Sequence, residues 1–219
     1  MATLLPPTFL VQPVFEVDRL ASWPDQADLE LFESLTPLPS LASMDPGKPP
    51  LEVRMGWRTE GIAVAVRIGG KVEKPRAEPL HHEQDDRVVV GIDTRDTKSI
   101  QRAGRFCHRF HLTPCDEDGE LDPSLSAALI PRATDDAPLA SFAGDAIAAA
   151  ATEDGYCVLG LLRAAALNGF DPEFSDRLGL HVEIGDRELG TVPLIGDPKM
   201  PNAANPSLWA SVRLRDEAG

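Results

Sequence analysis

The chain has 219 residues, with 21 basic against 35 acidic side chains and a formal net charge of −14. That excess repels phosphate backbones and argues against a nucleic-acid partner, while 42% hydrophobic and 26% charged residues describe a chain that folds rather than a disordered one. No stretch approaches the ~18 uninterrupted apolar residues of a membrane span, so no membrane partner is expected.

The length suits one domain over 1–219, and 17 glycines with 20 prolines point to many turns between short elements, hence to β structure. Cys107, Cys115 and Cys157 are odd in number and lack a CxxC spacing, so buried free thiols are expected rather than disulfides or a zinc knuckle. The opening MATLLPPTFLVQP has no basic n-region, and two prolines interrupt its apolar stretch. It does not read as a secretory signal, and a cytoplasmic location is expected.

In chain order, residues 1–50 are punctuated by proline, from Pro6 and Pro7 to Pro49 and Pro50. They read as an extended lead-in packed on the domain, with room for a helical turn only within 26–35. Leu51, Val53, Met55 and Trp57 then alternate with polar or small residues, as do Ile62, Val64, Val66 and Ile68 after the turn-like RTEG. Period two predicts two strands, paired as an antiparallel hairpin. Further strands are expected at 87–93, where Val88, Val90 and Ile92 share a face, and at 105–112, where Phe106, His108, Phe110 and Leu112 do. The acidic PCDEDGELDP closes the latter as a turn.

Residues 139–151 are rich in alanine, which favours helix by propensity, yet Gly144 and Asp154-Gly155 punctuate them like a hairpin. A strand over 145–152 is expected, paired with 156–162. A short helical turn follows at 163–167, ended by Asn168-Gly169, and then strands at 178–186 and 208–214. Leu178, Leu180, Val182 and Ile184 of the first of these point inward. Such a series without βα repeats predicts an all-β protein, an antiparallel β-sandwich.

Several pieces then fall into a known order: VDRLASWPD near the start, the hairpin MGWRTEGIAVAV, the acidic lead DDRVVVGIDTRD, EDGYCVLGLL, and the terminal NPSLWASVRL. Together they resemble the carbohydrate-binding modules of family nine and the related sandwiches of the dopamine-monooxygenase N-terminal type, from about Val14 to Leu214. The resemblance implies an immunoglobulin-like or jelly-roll-like sandwich of the carbohydrate-binding-module type. It also implies a ligand site in which two tryptophans clamp a terminal sugar. This sequence has His81, His82 and Glu83 where one of those tryptophans stands and Ala203 where the other does, so the clamp is missing. The resemblance places a family sugar-contacting carboxylate near Val89, an arginine at Arg109, and a packing aromatic at Trp209.

The run 93–114 is the densest polar cluster. Asp93, Arg95, Asp96, Arg102 and Arg105 are expected to form salt bridges and turn hydrogen bonds on a loop between two strands, while in the functional reading Arg109 and His111 share a strand face that could floor a polar site. His108, on the opposite face, reads as a core histidine. His81-His82-Glu83 with Asp85-Asp86 could coordinate zinc, although adjacent histidines rarely reach one ion. The turn Asp116-Glu117-Asp118-Gly119-Glu120 offers oxygen ligands suited to calcium without the spacing of a helix-loop-helix site, so a solvated turn is expected. No GxSxG and no identifiable base beside a cysteine support nucleophilic catalysis.

The sequence therefore leads to a non-catalytic module without a cofactor, holding a carbohydrate or other polar small molecule at a loop end built from 78–87, 95–111 and 197–206. The side chains in question are His81, His82, Asp85, Arg109, His111, Asn202 and Asn205. The alternative is a structural or protein-interaction sandwich whose sugar site has degenerated. A haem-carrying sandwich would need Met55, Met200 or a histidine to converge.

Overall fold

The computed structural model describes residues 12–40, 50–77 and 85–216. Its strands are β1 (Val14–Asp18), β2 (Thr36–Leu38), β3 (Leu51–Arg58), β4 (Gly61–Ile68), β5 (Arg87–Asp93), β6 (Cys107–Thr113), β7 (Ser124–Ala128), β8 (Ile147–Thr152), β9 (Gly155–Arg163), β10 (Arg177–Asp186), β11 (Gly190–Pro193) and β12 (Ala210–Arg215). One sheet runs β1-β12-β10-β5-β6-β7, with β11 also on β10, and the other runs β2-β3-β4-β9-β8. Every pairing is antiparallel except that of β1 with β12. The two sheets pack face to face as a sandwich.

The period-two strands bury the faces their patterns announce. Val53, Met55, Trp57, Val64 and Val66 of one sheet meet Val90, Ile92, Phe110, Leu180, Val182 and Val212 of the other, none more than 4% exposed. The alanine-rich segment is strand β8, because its whole length pairs with β9, from Ile147 opposite Gly160 to Thr152 opposite Gly155. Those ladder bonds outweigh alanine's helix preference.

One departure concerns β4, which is buried on both faces. Leu20, Phe32 and Leu35, contributed by the segment before β3, cover Ala63 and Ala65, so the small residues of β4 make room for a second apolar layer. The helical turn foreseen within 26–35 is the 3-10 helix Leu29–Ser34, with Asp28 accepting from the Glu30 amide at its start. Strands β1, β2, β7 and β11 have at most five residues and escape a sequence reading, since a run that short shows no period of its own.

A polar clasp joins the sheets at one end. Lys71, beyond β4, points its ammonium at Asp186 and lies 3.4 Å from Asp86 Oδ2. All three side chains are buried, at 2%, 0% and 1% exposure.

Candidate functional site

Alternation along β6 turns His108, Phe110 and Leu112 into the core and Arg109 and His111 outward, as expected. His108 is buried, stacks on Phe110 at 6.1 Å, and its Nε2 lies 3.3 Å from the Asn168 carbonyl; burial lowers its pKa.

The outward face of the larger sheet carries two cross-strand rows. Gly91 of β5 lies between Arg109 and His181, and Val89 between His111 and Glu183. At Gly91 a Cβ would stand 2.9 Å from Trp209 Cη2, so the indole can lie on the sheet only because this residue has no side chain. Trp209 is 1% exposed and stacks on His181 at 6.0 Å. Its Nε1 donates to the Asn202 carbonyl at 2.7 Å, and the Trp209 carbonyl accepts from Lys98 Nζ at 2.8 Å. Trp209 is thus a packing residue.

Charges crowd beside it. His181 Nε2 stands 3.8 Å from Glu183 Oε2, yet burial first and the Arg109 charge second hold the imidazole pKa down at about 3, and it is neutral. Burial pushes the Glu183 carboxyl up, opposed by Arg109 and Arg87. Burial, and then the neighbouring Arg87, lower the pKa of Arg109. Arg109 Nε is buried without a hydrogen-bond partner among the described residues.

Past His111 the face opens into a cleft of about 420 Å³. Its floor is Arg87, His111, Thr113, Ser124 and Ser126, neighbours on β5, β6 and β7. Its rim is acidic: Asp85, Asp116, Glu117, Asp118 and Asp122. The rim turn is self-supported, with Asp116 Oδ1 accepting from the amides of Asp118 at 3.0 Å and Glu120 at 2.9 Å. Cys115 lines the cleft, but burial drives its thiol up to about 12. Cys107 and Cys157 are likewise buried and free, each at about 11. Thiols so protonated are poor nucleophiles.

No family model and no curated protein matches the sequence. Solved structures do match. A family-nine carbohydrate-binding module from Caldicellulosiruptor kristjanssonii in complex with cellotriose superposes with a TM-score of 0.63 at 12% identity, over 94% of this chain and 95% of that one. The module of that family and organism in complex with glucose gives 0.62 at 12% identity, over 94% and 97%. A carbohydrate-binding candidate from Bacteroides uniformis gives 0.52 at 11% identity, over 92% and 97%. This is the fold of a family-nine carbohydrate-binding module.

Within the family-nine fold, the residues singled out from sequence divide into groups. Asp85 and His111 line the same cleft. Arg109 is the next outward residue of β6 and does not border it. Asn202 is 5% exposed, with Nδ2 donating to the Asp197 carbonyl at 2.9 Å. Asn205 Oδ1 accepts from the amide and hydroxyl of Ser207. Both asparagines hold the loop that carries Trp209. His81 and His82 lie outside the described residues.

The three segments expected to form one loop end are split. Asp85 precedes β5, whereas 95–106 follows it, and it is the latter that meets the loop before β12, through Lys98 and through the packing of Ala103 on Trp209. Met55 is in the core between the sheets and Met200 in the loop after β11, so the two do not converge. Among the described residues, no group of three or more His, Cys, Asp or Glu side chains could hold a metal ion, and no helix is long and apolar enough to cross a membrane.

His181 and Glu183 were readable in principle, since they occupy the outward positions implied by the inward Leu180, Val182 and Ile184. Ser124 and Ser126 were not, because β7 has no period to mark its faces.

Proposed function

We propose that the chain is a non-catalytic carbohydrate-binding-type module that holds a neutral, hydroxyl-rich molecule, a sugar above all, in the cleft beside His111. The observation carrying this reading is the composition of the cleft. Hydroxyls of Thr113, Ser124 and Ser126, the His111 imidazole and the single Arg87 guanidinium form a polar floor under a rim of five carboxylates. Such walls offer partners to sugar hydroxyls and repel anions. The solved neighbours in complex with cellotriose and glucose support the sugar class. Without a pair of stacking rings, binding rests on hydrogen bonds that exchange with water, so affinity for glucose should be roughly millimolar.

The reading is tested by chemical-shift titration of the full chain with glucose. His111→Ala and Asp85→Asn should each weaken binding by about three- to tenfold. Arg109→Gln, acting on the floor through Glu183 and Arg87, should weaken it less. Absence of shifts at tens of millimolar glucose, or unchanged shifts in His111→Ala, would remove the cleft as a sugar site and favour a protein-interaction module on the same fold.

A further inference from the structure

At the other end of β5, about 20 Å of strand away from Asp85, the loops after β5 and before β10 build a surface of different character. Phe174 is 78% exposed, the one aromatic among the exposed large hydrophobic side chains of the described residues. The Arg95 guanidinium carbon lies 5.7 Å from the Phe174 ring centre and 4.8 Å from that of Phe106, and Arg105 lies 5.1 Å from the latter. Rings and guanidinium groups thus share one platform, each arginine held by cation–π contact.

The backbone beneath is tied down. Asp93 accepts from the amides of Arg95 at 2.9 Å and Thr97 at 2.7 Å. Asp171 accepts from those of Glu173 at 3.1 Å and Phe174 at 3.2 Å. The Phe106 ring rests on Gly169, whose φ of +83° suits glycine and whose added Cβ would meet Phe106 Cδ1 at 2.7 Å.

The surface also has a distinct charge. Arg54, Arg58, Arg67, Arg213 and Arg215 all stand within 4.0 Å of carboxylates. Arg95 and Arg105 have neither an ion pair nor a side-chain hydrogen bond among the described residues, in a chain of net charge −14. Two guanidinium groups set against the Phe106 ring, with no carboxylate partner among the described residues, have donors to offer an anion. No strand edge or helix groove is involved, so a peptide has no backbone ladder to join there. A pyranose has a flat apolar face for Phe174, and a uronate adds a carboxylate for the arginines.

We propose that Phe174, Phe106, Arg95 and Arg105 form a second binding surface, for acidic polysaccharide of the uronate class. It is independent of the cleft, whose acidic rim excludes such a ligand. The acidic neighbour Glu173 limits the affinity.

Calorimetric titration of the full chain with trigalacturonate, cellotriose and triglutamate tests this surface. Trigalacturonate should bind about tenfold or more tighter than cellotriose, and more weakly as salt rises. Phe174→Ala and Arg95→Gln should each reduce its affinity about five- to tenfold at unchanged melting temperature. Glu173→Gln should raise it, and His111→Ala should leave it unaltered. The proposal is overturned if trigalacturonate gives no binding, if Phe174→Ala binds it normally, or if triglutamate binds as tightly, which would reduce the surface to bare charge.

Discussion

Lys71→Met should destabilise the fold by about 3–5 kcal/mol. The substitution keeps the length of the stem and removes the ammonium that lies against Asp86 and Asp186, whose side chains are 1% and 0% exposed. Both carboxylates keep their backbone donors: the amides of Arg76 and Arg187 for Asp86, at 2.9 and 2.7 Å, and those of Glu188 and Leu189 for Asp186, at 2.9 and 2.8 Å. Those bonds do not neutralise two like charges in a buried site. Burial already pushes the Asp86 pKa up, with Asp186 adding to it and Lys71 opposing. The clasp also links the end of β4 to the start of β5, where Asp85 borders the cleft. Urea unfolding of the single variant and of Lys71→Met with Asp186→Asn measures the effect. The second change should recover part of the loss, a non-additivity expected of groups in contact. A loss below about 1 kcal/mol would mean that the cation contributes no more than a surface ion pair does.

Acid should weaken the fold through His181, with a sign set by its depressed pKa. In the unfolded chain this imidazole takes up a proton near its ordinary pKa of 6.5, whereas in the fold it resists protonation down to about 3. The neutral histidine's contribution is therefore complete above pH ~6.5 and is lost as pH falls toward 3, at about 1.4 kcal/mol per pH unit. His108, also lowered by burial, acts in the same direction. Glu183, Asp86 and Asp93 act in the opposite one, because burial raises their pKa values and protonation relieves that penalty. The clean measurement is the difference in unfolding free energy between the wild type and His181→Gln, taken at several pH values from neutral to acid. That difference should shrink by about 1.4 kcal/mol per unit below pH ~6.5. Parallel curves would show that His181 takes up its proton in the fold as readily as in the unfolded chain.

The sandwich was legible because its central strands are amphipathic or wholly apolar over seven residues or more, long enough for a period of two to show. The same alternation predicts which side of β6 bears Arg109 and His111 and which bears the core His108. For β8 the turn residues Gly144 and Asp154-Gly155 outweighed composition, and pairing with β9 supplies the physical cause. The resemblance to family-nine modules rested on the order of such pieces, and the solved structures match it in fold.

What only the tertiary structure decided is which polar groups face one another. Arg87, His111 and Ser126 come from strands that are neighbours in the sheet, and Asp116 and Asp122 reach the rim because a turn folds back over it. Asn202 and Asn205 have the composition of a sugar-reading loop but are drawn into hydrogen bonds that seat Trp209. Arg95, Phe106 and Phe174 are separated by up to 79 positions in the chain and meet only through the turn at Gly169 and the ends of β5 and β10. A strand's own pattern determines its faces, because side chains alternate whatever the partner. Which side chains become a site depends on strand order and register, and those are set by the packing of the two sheets as a whole.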